Sequence, residues 1–498
     1  MSNADLPLSA LKRGREVELV MEDFADRGKS LARLPGGVPS GVAATEDRRG
    51  YVVFVAGAVP GDRVRARVVK RKKGFAEARL LEVLEPSGLR TDPRCEYFES
   101  CGGCKWQHVE YPAQLAMKGE SAVGALVRAG LDLSAADVRA PIGADGHDGS
   151  GGLYFYRNKM EFSFSAQRWL TDWEIATGEE LDTSFALGLH VPGRFDKVLD
   201  LRACYLQSEW SARLVNGVRQ FAKAHGWQPW HAREHTGFLR ILGVRTPAHT
   251  DDRMVNLVTS GHDPERMAAF ADFLRADFPE VTTLVNTVND GPAQTSYGQA
   301  HVVFGPGTVR DRIGAHTFEI ASNAFFQTNT VAAERLYAVA REFGRFKPTD
   351  VVYDLYCGAG TISLYVADAV ERVVGVELVE EAVENARASA AANGVANCEF
   401  VAGDMLELFK PDLVEAHGRP DVLILDPPRA GLHPKVTGQI AHLRPERIVY
   451  VSCNPQTQAL DLARLSEAAA YTVEAVQPVD MFPHTHHVES VVGLRLAE

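Results

Sequence analysis

At 498 residues the chain exceeds what one hydrophobic core sustains, and length alone suggests about three domains. A composition of 45% hydrophobic and 24% charged residues with a formal net charge of −12 is that of an ordinary globular protein, not of one that coats nucleic acid indiscriminately. No apolar run reaches the roughly 18 residues of a membrane span, and the opening MSNADLPLSALKRGR lacks a secretion signal's apolar core. The expectation is a cytoplasmic monomer with no membrane partner. Seven cysteines in a reducing compartment point to metal binding or catalysis.

Residues 13 to 86 alternate apolar and polar with period two in REVELVM, YVVFVAG, DRVRARVV and AEARLLEVL, with turns at Pro35-Gly36-Gly37, Pro60-Gly61 and Lys73-Gly74. That pattern predicts a small all-β barrel over residues 10–86. Between Arg48 and Leu80 ten Lys or Arg face only Asp62 and Glu77, so a polyanion would land there, the bland alternative being a solvated basic face. Arginines on one side of RVRARVVKRKKGF and a lysine-rich turn ending in Phe75 favour phosphate contact with stacking.

Cys95-x5-Cys101-Gly-Gly-Cys104 follows, three thiols that two glycines allow to point at one centre. One coordination position is left over, and Cys204 in LDLRACYLQ is the candidate for it. The spacing suits paired zinc knuckles poorly and puts an iron–sulfur cluster ahead of zinc. Residues 111–130 read as a helix ending at Gly130, and 154–320 as mixed strands and helices, a β-rich central domain over 87–320. Arg157 and Lys159 could meet phosphates, although solvated strand positions are the simpler reading.

From Asn323 strands and helices alternate, which predicts a parallel sheet with right-handed crossovers over 321–498. Asp354-Leu-Tyr-Cys-Gly-Ala-Gly360 makes the first strand-to-helix turn; Glu377 ends the second strand, placed to accept from ribose hydroxyls; Asp404 ends the third and could read an adenine amino group. No phosphate-binding G-x-x-x-x-G-K-[ST] is present. DVLILDPPRAG and RIVYVSCNP are short apolar runs stopped by polar clusters, so Asp426 and Cys453 are aimed at one crevice beyond the strand ends. Asn454 and Pro455 put the thiol at the sheet rim rather than in the core. The histidines of PHTHHVES could suggest a metal, but Glu489 beyond them is the more interesting residue, as a proton acceptor.

Together C-x5-C-G-G-C, DLYCGAG, DPPRAG, SCNP and HVES resemble the S-adenosylmethionine-dependent RNA uracil-5 methyltransferases, in the branch with an N-terminal TRAM domain and an iron–sulfur cluster. The resemblance runs from Arg13 to the C-terminus. It implies a multidomain α/β fold: an OB-like TRAM barrel, a β-rich central RNA-binding domain with a [4Fe-4S] cluster, and a Rossmann-like methyltransferase domain. It implies cluster ligands Cys95, Cys101, Cys104 and Cys204, and methyl-donor contacts Gln327, Tyr356, Thr361, Glu377, Asp404 and Asp426. Cys453 is the implied nucleophile and Glu489 the implied base. Thr361 falls where relatives often carry asparagine, and the stretch from Cys204 to Asn323 aligns with no motif. The implied partner is RNA, ribosomal ahead of transfer RNA.

The residue types suit that chemistry. Uracil C5 is too weak a nucleophile to take a methyl group from a sulfonium until a thiolate has added to C6; the C5 proton must then leave to a carboxylate, and the base must be unstacked throughout. The alternatives are a purine amino-methyltransferase, which would leave Cys453 and Glu489 idle, and a non-catalytic RNA-binding protein.

Overall fold

The computed structural model describes residues 3, 6–25, 28–35, 50–144, 152–408 and 411–497; the expected turn glycines Gly36 and Gly37, and Arg48 and Arg49, lie outside them. The chain divides into two compact units, Met1–Lys118 with Phe482–His487, and Gly119–Met481 with Val488–Glu498. Among the described residues no helix is long and apolar enough to cross a membrane.

The first unit is built on β1 (Glu16–Val20), β2 (Asp23–Ala25), β3 (Lys29–Leu34), β4 (Tyr51–Ala56), β5 (Arg63–Arg71) and β6 (Phe75–Glu85). They form one six-stranded sheet in the order β1-β5-β6-β4-β3-β2. Alternation of buried and open positions in β1, β4 and β5 is the period-two pattern of the sequence made physical. Its inward residues, among them Leu19, Val53, Val55, Val64 and Ala66, make one core. The outward arginines of β5 are engaged within the sheet: Arg63 with Glu18 and Glu85, Arg65 with Glu82, Arg67 with Glu16. The basic strand is therefore largely neutralised by its neighbours, while Arg71 at its end, Lys72 and Lys73 of the following turn and Arg79 of β6 are exposed. Sequence alone hides this, because the glutamates lie on strands that pair only in the fold.

The helix α1 (Tyr111–Arg128) begins in the first unit and ends in the second, where Ala125 and Leu126 join the core of the C-terminal sheet. After β7 (Asp137–Val138) comes a mixed sheet of β8 (Lys159–Ser165), β9 (Arg168–Trp169), β10 (Ala186–His190), β11 (Val198–Asp200), β12 (Leu239–Arg245), β13 (Met254–Thr259), β14 (Thr283–Val288) and β15 (Gln299–Phe304), ordered β15-β14-β13-β12-β8-β10-β11-β9. The short α2 (Asp172–Ala176) is fixed by a capping box between Thr171 and Glu174. The helices α3 (Glu209–Ala224) and α4 (Pro264–Asp277) supply Trp210, Leu214, Phe270 and Leu274 to the core on one sheet face. A separate hairpin, β16 (Thr308–Ile313) and β17 (His316–Ala321), leads into the C-terminal part.

There α5 (Thr330–Gly344), β18 (Val351–Leu355), α6 (Thr361–Val366), β19 (Arg372–Glu377), α7 (Glu380–Ala392), β20 (Cys398–Ala402), α8 (Met405–Leu408), α9 (Pro411–His417), β21 (Val422–Leu425), α10 (Pro434–Leu443), β22 (Arg447–Ser452), α11 (Pro455–Ala469), β23 (Tyr471–Val479) and β24 (Glu489–Leu496) follow. The sheet order is β20-β19-β18-β21-β22-β24-β23-β7. The first five are parallel and β24 runs antiparallel between β22 and β23. All of VLIL and RIVYVS is buried, the signature of strands covered on both faces. The chain order reverses between β18 and β21, and the carboxyl-edge crevice there is where ligands bind in such sheets.

At the opposite edge Asp350 and Arg447, each 4% exposed, form an ion pair at 2.9 Å, and Arg447 also donates to the Gly344 carbonyl at 2.8 Å. Removing one member leaves a buried charge unmatched, at ~3–5 kcal/mol. Arg447→Met should lower the unfolding free energy by that order in urea titration, and adding Asp350→Leu should restore much of it.

Candidate active site at the carboxyl edge of the catalytic sheet

The glycine loop after β18 turns on three left-handed residues, Tyr356 (φ 63°), Gly358 (φ 54°) and Gly360 (φ 73°). At Gly360 a β-carbon would come within 2.7 Å of the Phe400 ring, so only glycine lets α6 start this close to β20. Glu377 is fixed by backbone amides: Gly358 donates to Oε2 at 3.1 Å, while Leu378 and Val379 donate to Oε1 at 2.8 and 3.0 Å. Exposed Leu378 and Val379 follow it. Asp404 stands two residues past β20, exposed, accepting from the Leu406 amide at 2.9 Å.

Gln327 sits on the loop 322–329, whose backbone is stapled from the central sheet. Buried Arg245 donates to the carbonyls of Ser322 and Ala324. Asn158 gives its side-chain amide to the Gln327 carbonyl and the Thr330 hydroxyl, each at 2.8 Å, and its backbone amide to the Thr328 carbonyl. Asn329 caps α5 and donates to the Met481 carbonyl at 2.9 Å. The carboxamide of Gln327 reaches the hydroxyl of Tyr337, which lies 2.9 Å from the Thr361 hydroxyl. Tyr337 thus joins two sequence-derived candidates. Sequence reading missed it because an apolar-faced helix gives no hint that one of its rings ends in a polar pocket.

Cys453, Asp426 and Glu489 come together through strand register. Ser452 of β22 lies opposite Ser490 of β24, which brings Glu489 to the side of Cys453, and Asp426 leaves the adjoining end of β21. The two motif loops are tied to each other. The Asn454 side chain donates to the Arg429 carbonyl at 2.8 Å, and Asp461 accepts from the Leu432 amide at 2.7 Å and the Tyr450 hydroxyl at 2.8 Å. Burial, with Asp426 beside it, pushes the Glu489 carboxyl up to about 8, against the opposing charge of Arg429. Burial and then Glu489 push the Cys453 thiol up to about 11, and Arg429 again opposes. Asp426 is raised to about 7 by burial and by Asp354, a second residue not singled out from sequence. Asp354 is fully buried within β18; Ser363 donates to Oδ2 at 2.6 Å and Oδ1 has no hydrogen-bond partner. Burial lifts its carboxyl to about 7. A lone aspartate inside the apolar run VVYDL was the signal available.

Cys95, Cys101 and Cys104 share one loop of the first unit, whereas Cys204 belongs to the second. Burial pushes the Cys95 thiol up to about 12, with Cys101 and Cys104 adding to the effect, and the Gly103 amide donates to Cys101 Sγ at 3.4 Å. The three loop thiols therefore share a neighbourhood. Among the described residues no group of three or more His, Cys, Asp or Glu side chains is arranged to hold a metal ion.

The three raised carboxyls fix a pH dependence. Folded, they keep their protons to about pH 7 or 8, whereas in the unfolded chain they ionise near pH 4. The folded state binds more protons in between, so their contribution is fully present at acid pH and is lost as pH rises through that window. Glu489→Gln should raise the melting midpoint of the ligand-free protein by ~2–4 °C at pH 8.5 and leave it unchanged at pH 4; calorimetry at the two pH values checks this.

The TRAM domain family model matches residues 10–81, and the tRNA (Uracil-5-)-methyltransferase model matches residues 308–497. An uncharacterized RNA methyltransferase of Chlorobaculum tepidum is 41% identical, covering 98% of each chain; another from Porphyromonas gingivalis is 40% identical, covering 95% of this chain and 98% of its own. Among solved structures, the Pyrococcus abyssi tRNA (uracil-54, C5)-methyltransferase in complex with S-adenosyl-L-homocysteine superposes with a TM-score of 0.71 at 25% identity, over 96% of this chain and 100% of that one. A TRAM domain, a uracil-5 methyltransferase match over the C-terminal residues and near full-length likeness to RNA methyltransferases lead to one conclusion: the chain belongs to the S-adenosylmethionine-dependent RNA uracil-5 methyltransferase family.

Proposed function

We propose that the enzyme methylates C5 of one specific uridine in RNA through a covalent adduct between Cys453 and C6 of the base. The observation that carries this reading is the register of β22 against β24, which seats a thiol and a buried carboxyl side by side where the donor loop opens. A purine amino-methyltransferase has no use for that pair.

The steps follow from the residues. Cys453 gives its proton to solvent, aided by the positive charge of Arg429, and its sulfur adds to C6, placing negative charge on C5 and O4. C5 takes the methyl group from the sulfonium, leaving neutral S-adenosylhomocysteine. Ionised Glu489 then removes the C5 proton, the C5–C6 double bond re-forms, and the thiolate departs and takes back a proton from solvent. The proton passes from Glu489 to solvent, so one proton is released per turnover. A Glu489 carboxyl near 8 is a base matched to neutral pH. For the donor, Glu377 would take the ribose hydroxyls and Asp404 the adenine amine, with Leu378 and Val379 against the purine. Gln327, Tyr356, Thr361 and Asp426 would surround the methionine end, where a cationic sulfonium favours the ionised form of Asp426.

Large-subunit ribosomal RNA is the substrate we favour, from the TRAM domain combined with the cysteine loop. Transfer RNA is the second reading, supported by the likeness to the Pyrococcus abyssi enzyme. Mapping 5-methyluridine in both RNA pools of a strain lacking the gene decides between them. Cys95, Cys101, Cys104 and Cys204 we assign as ligands of a [4Fe-4S] cluster, on their number and spacing and on the shared neighbourhood of the first three. No step of the reaction runs through it.

Cys453→Ala should abolish turnover and adduct formation with 5-fluorouridine RNA while S-adenosylhomocysteine binding stays within about twofold, as read by calorimetry and denaturing gels. Glu489→Gln should accumulate a methyl-labelled protein–RNA band on unmodified RNA; if no band forms while Cys453 remains reactive, Glu489 only orients the base. Anaerobically purified protein should contain about four iron and four sulfide per chain, and stoichiometric zinc without sulfide would overturn the cluster.

A further inference from the structure

Arg240 is fully buried, yet its guanidinium is spent on backbone carbonyls of one loop: Asn289 at 2.6 Å, Gly291 at 2.7 Å and Ala293 at 2.7 Å. The same loop is braced by Gln294, which donates to the carbonyls of Phe164 and Arg240 at 2.8 and 2.9 Å, and by Ser296, which donates to Glu161 at 3.0 Å. The next residue, Tyr297, is 71% exposed. A loop held this firmly limits the freedom of the ring it displays, so the ring loses little entropy on binding.

The anchors place that ring. Glu161 of β8 pairs with Gly243 of β12, and Lys159 with Arg245, so Glu161 and Arg245 are diagonal neighbours on one sheet face, with backbones about 7–8 Å apart. Glu161 holds Ser296, and Arg245 holds Ala324. Tyr297 and the 77% exposed Phe325 each lie one residue beyond an anchor, and Phe325 shares its loop with Gln327. Lys159 and Glu161 neutralise each other at 2.7 Å, so this ledge offers ring faces rather than net charge.

We propose that Tyr297 is an RNA-stacking residue, receiving a base adjacent to the target uridine when that uridine leaves its stack. The inference rests on the uracil-5 reading: a flipped base deprives its neighbours of a stacking partner, and a rigid aromatic at the rim replaces it without regard to sequence.

The test is anisotropy of a short fluorescein-labelled single-stranded RNA with the full chain, as wild type, Tyr297→Ala and Tyr297→Phe, over a salt series. Alanine should weaken binding roughly 5- to 100-fold and phenylalanine should bind within about twofold of wild type. The slope of affinity against salt should be the same for all three, because no phosphate contact is lost. S-adenosylhomocysteine affinity and the melting midpoint should not move. The proposal is overturned if alanine binds within about twofold of wild type, if phenylalanine is as weak as alanine, if the salt slope changes, or if the wild type does not bind the single strand. Absence of a 5-fluorouridine adduct would count against the uracil-5 reading alone, since this binding series does not depend on the thiol.

Discussion

The site depends on a break in strand direction. Five parallel strands deliver loops to one edge of the catalytic sheet, but a loop after β22 has no parallel neighbour beyond it; the antiparallel β24 begins where β22 ends, with Ser490 opposite Ser452. A strand start and a strand end are thereby brought level, and each contributes one reactive side chain. A register shift by one residue would turn Glu489 to the other sheet face.

Electrostatics at this edge follow from the same packing. Asp354, Asp426 and Glu489 are crowded into a buried space where none of them ionises as readily as in water. Arg429 opposes this at Glu489, and on the proposed mechanism the donor's sulfonium would do so during the reaction. A protein that conserved its stability would place apolar residues here. On the proposed mechanism, keeping carboxyls instead leaves the site ready for a cationic reagent and for a proton that must be removed from carbon.

Two buried arginines shape the surroundings without carboxylate partners at hydrogen-bond distance. Arg245 fixes the loop that carries Gln327, and Arg240 the loop that carries Tyr297, each through main-chain carbonyls. Guanidinium suits this because its donors fan out in a plane and can satisfy several carbonyls at once. The central sheet therefore acts on the catalytic edge by holding backbone.

Much of this was legible in the chain itself. The alternating strands of residues 13–86, the parallel strands after Asn323, and the motifs around Gly358, Asp426 and Cys453 are local patterns, and local physics of period and turn chemistry determines them. The sequence also named Glu489 as a proton acceptor, and Gln327 by resemblance. Other features needed the tertiary structure because they join residues far apart in the chain. The arginines of β5 read as a phosphate-binding face until pairing set Glu16 and Glu18 against them. Asp354 read as part of a glycine loop and is a buried acid coupled to Asp426. Tyr337 carries no mark in the sequence, and its hydroxyl meets Thr361. Periodicity says which side of an element is buried; what a buried polar atom meets there is decided by whichever distant strand or helix packs against it.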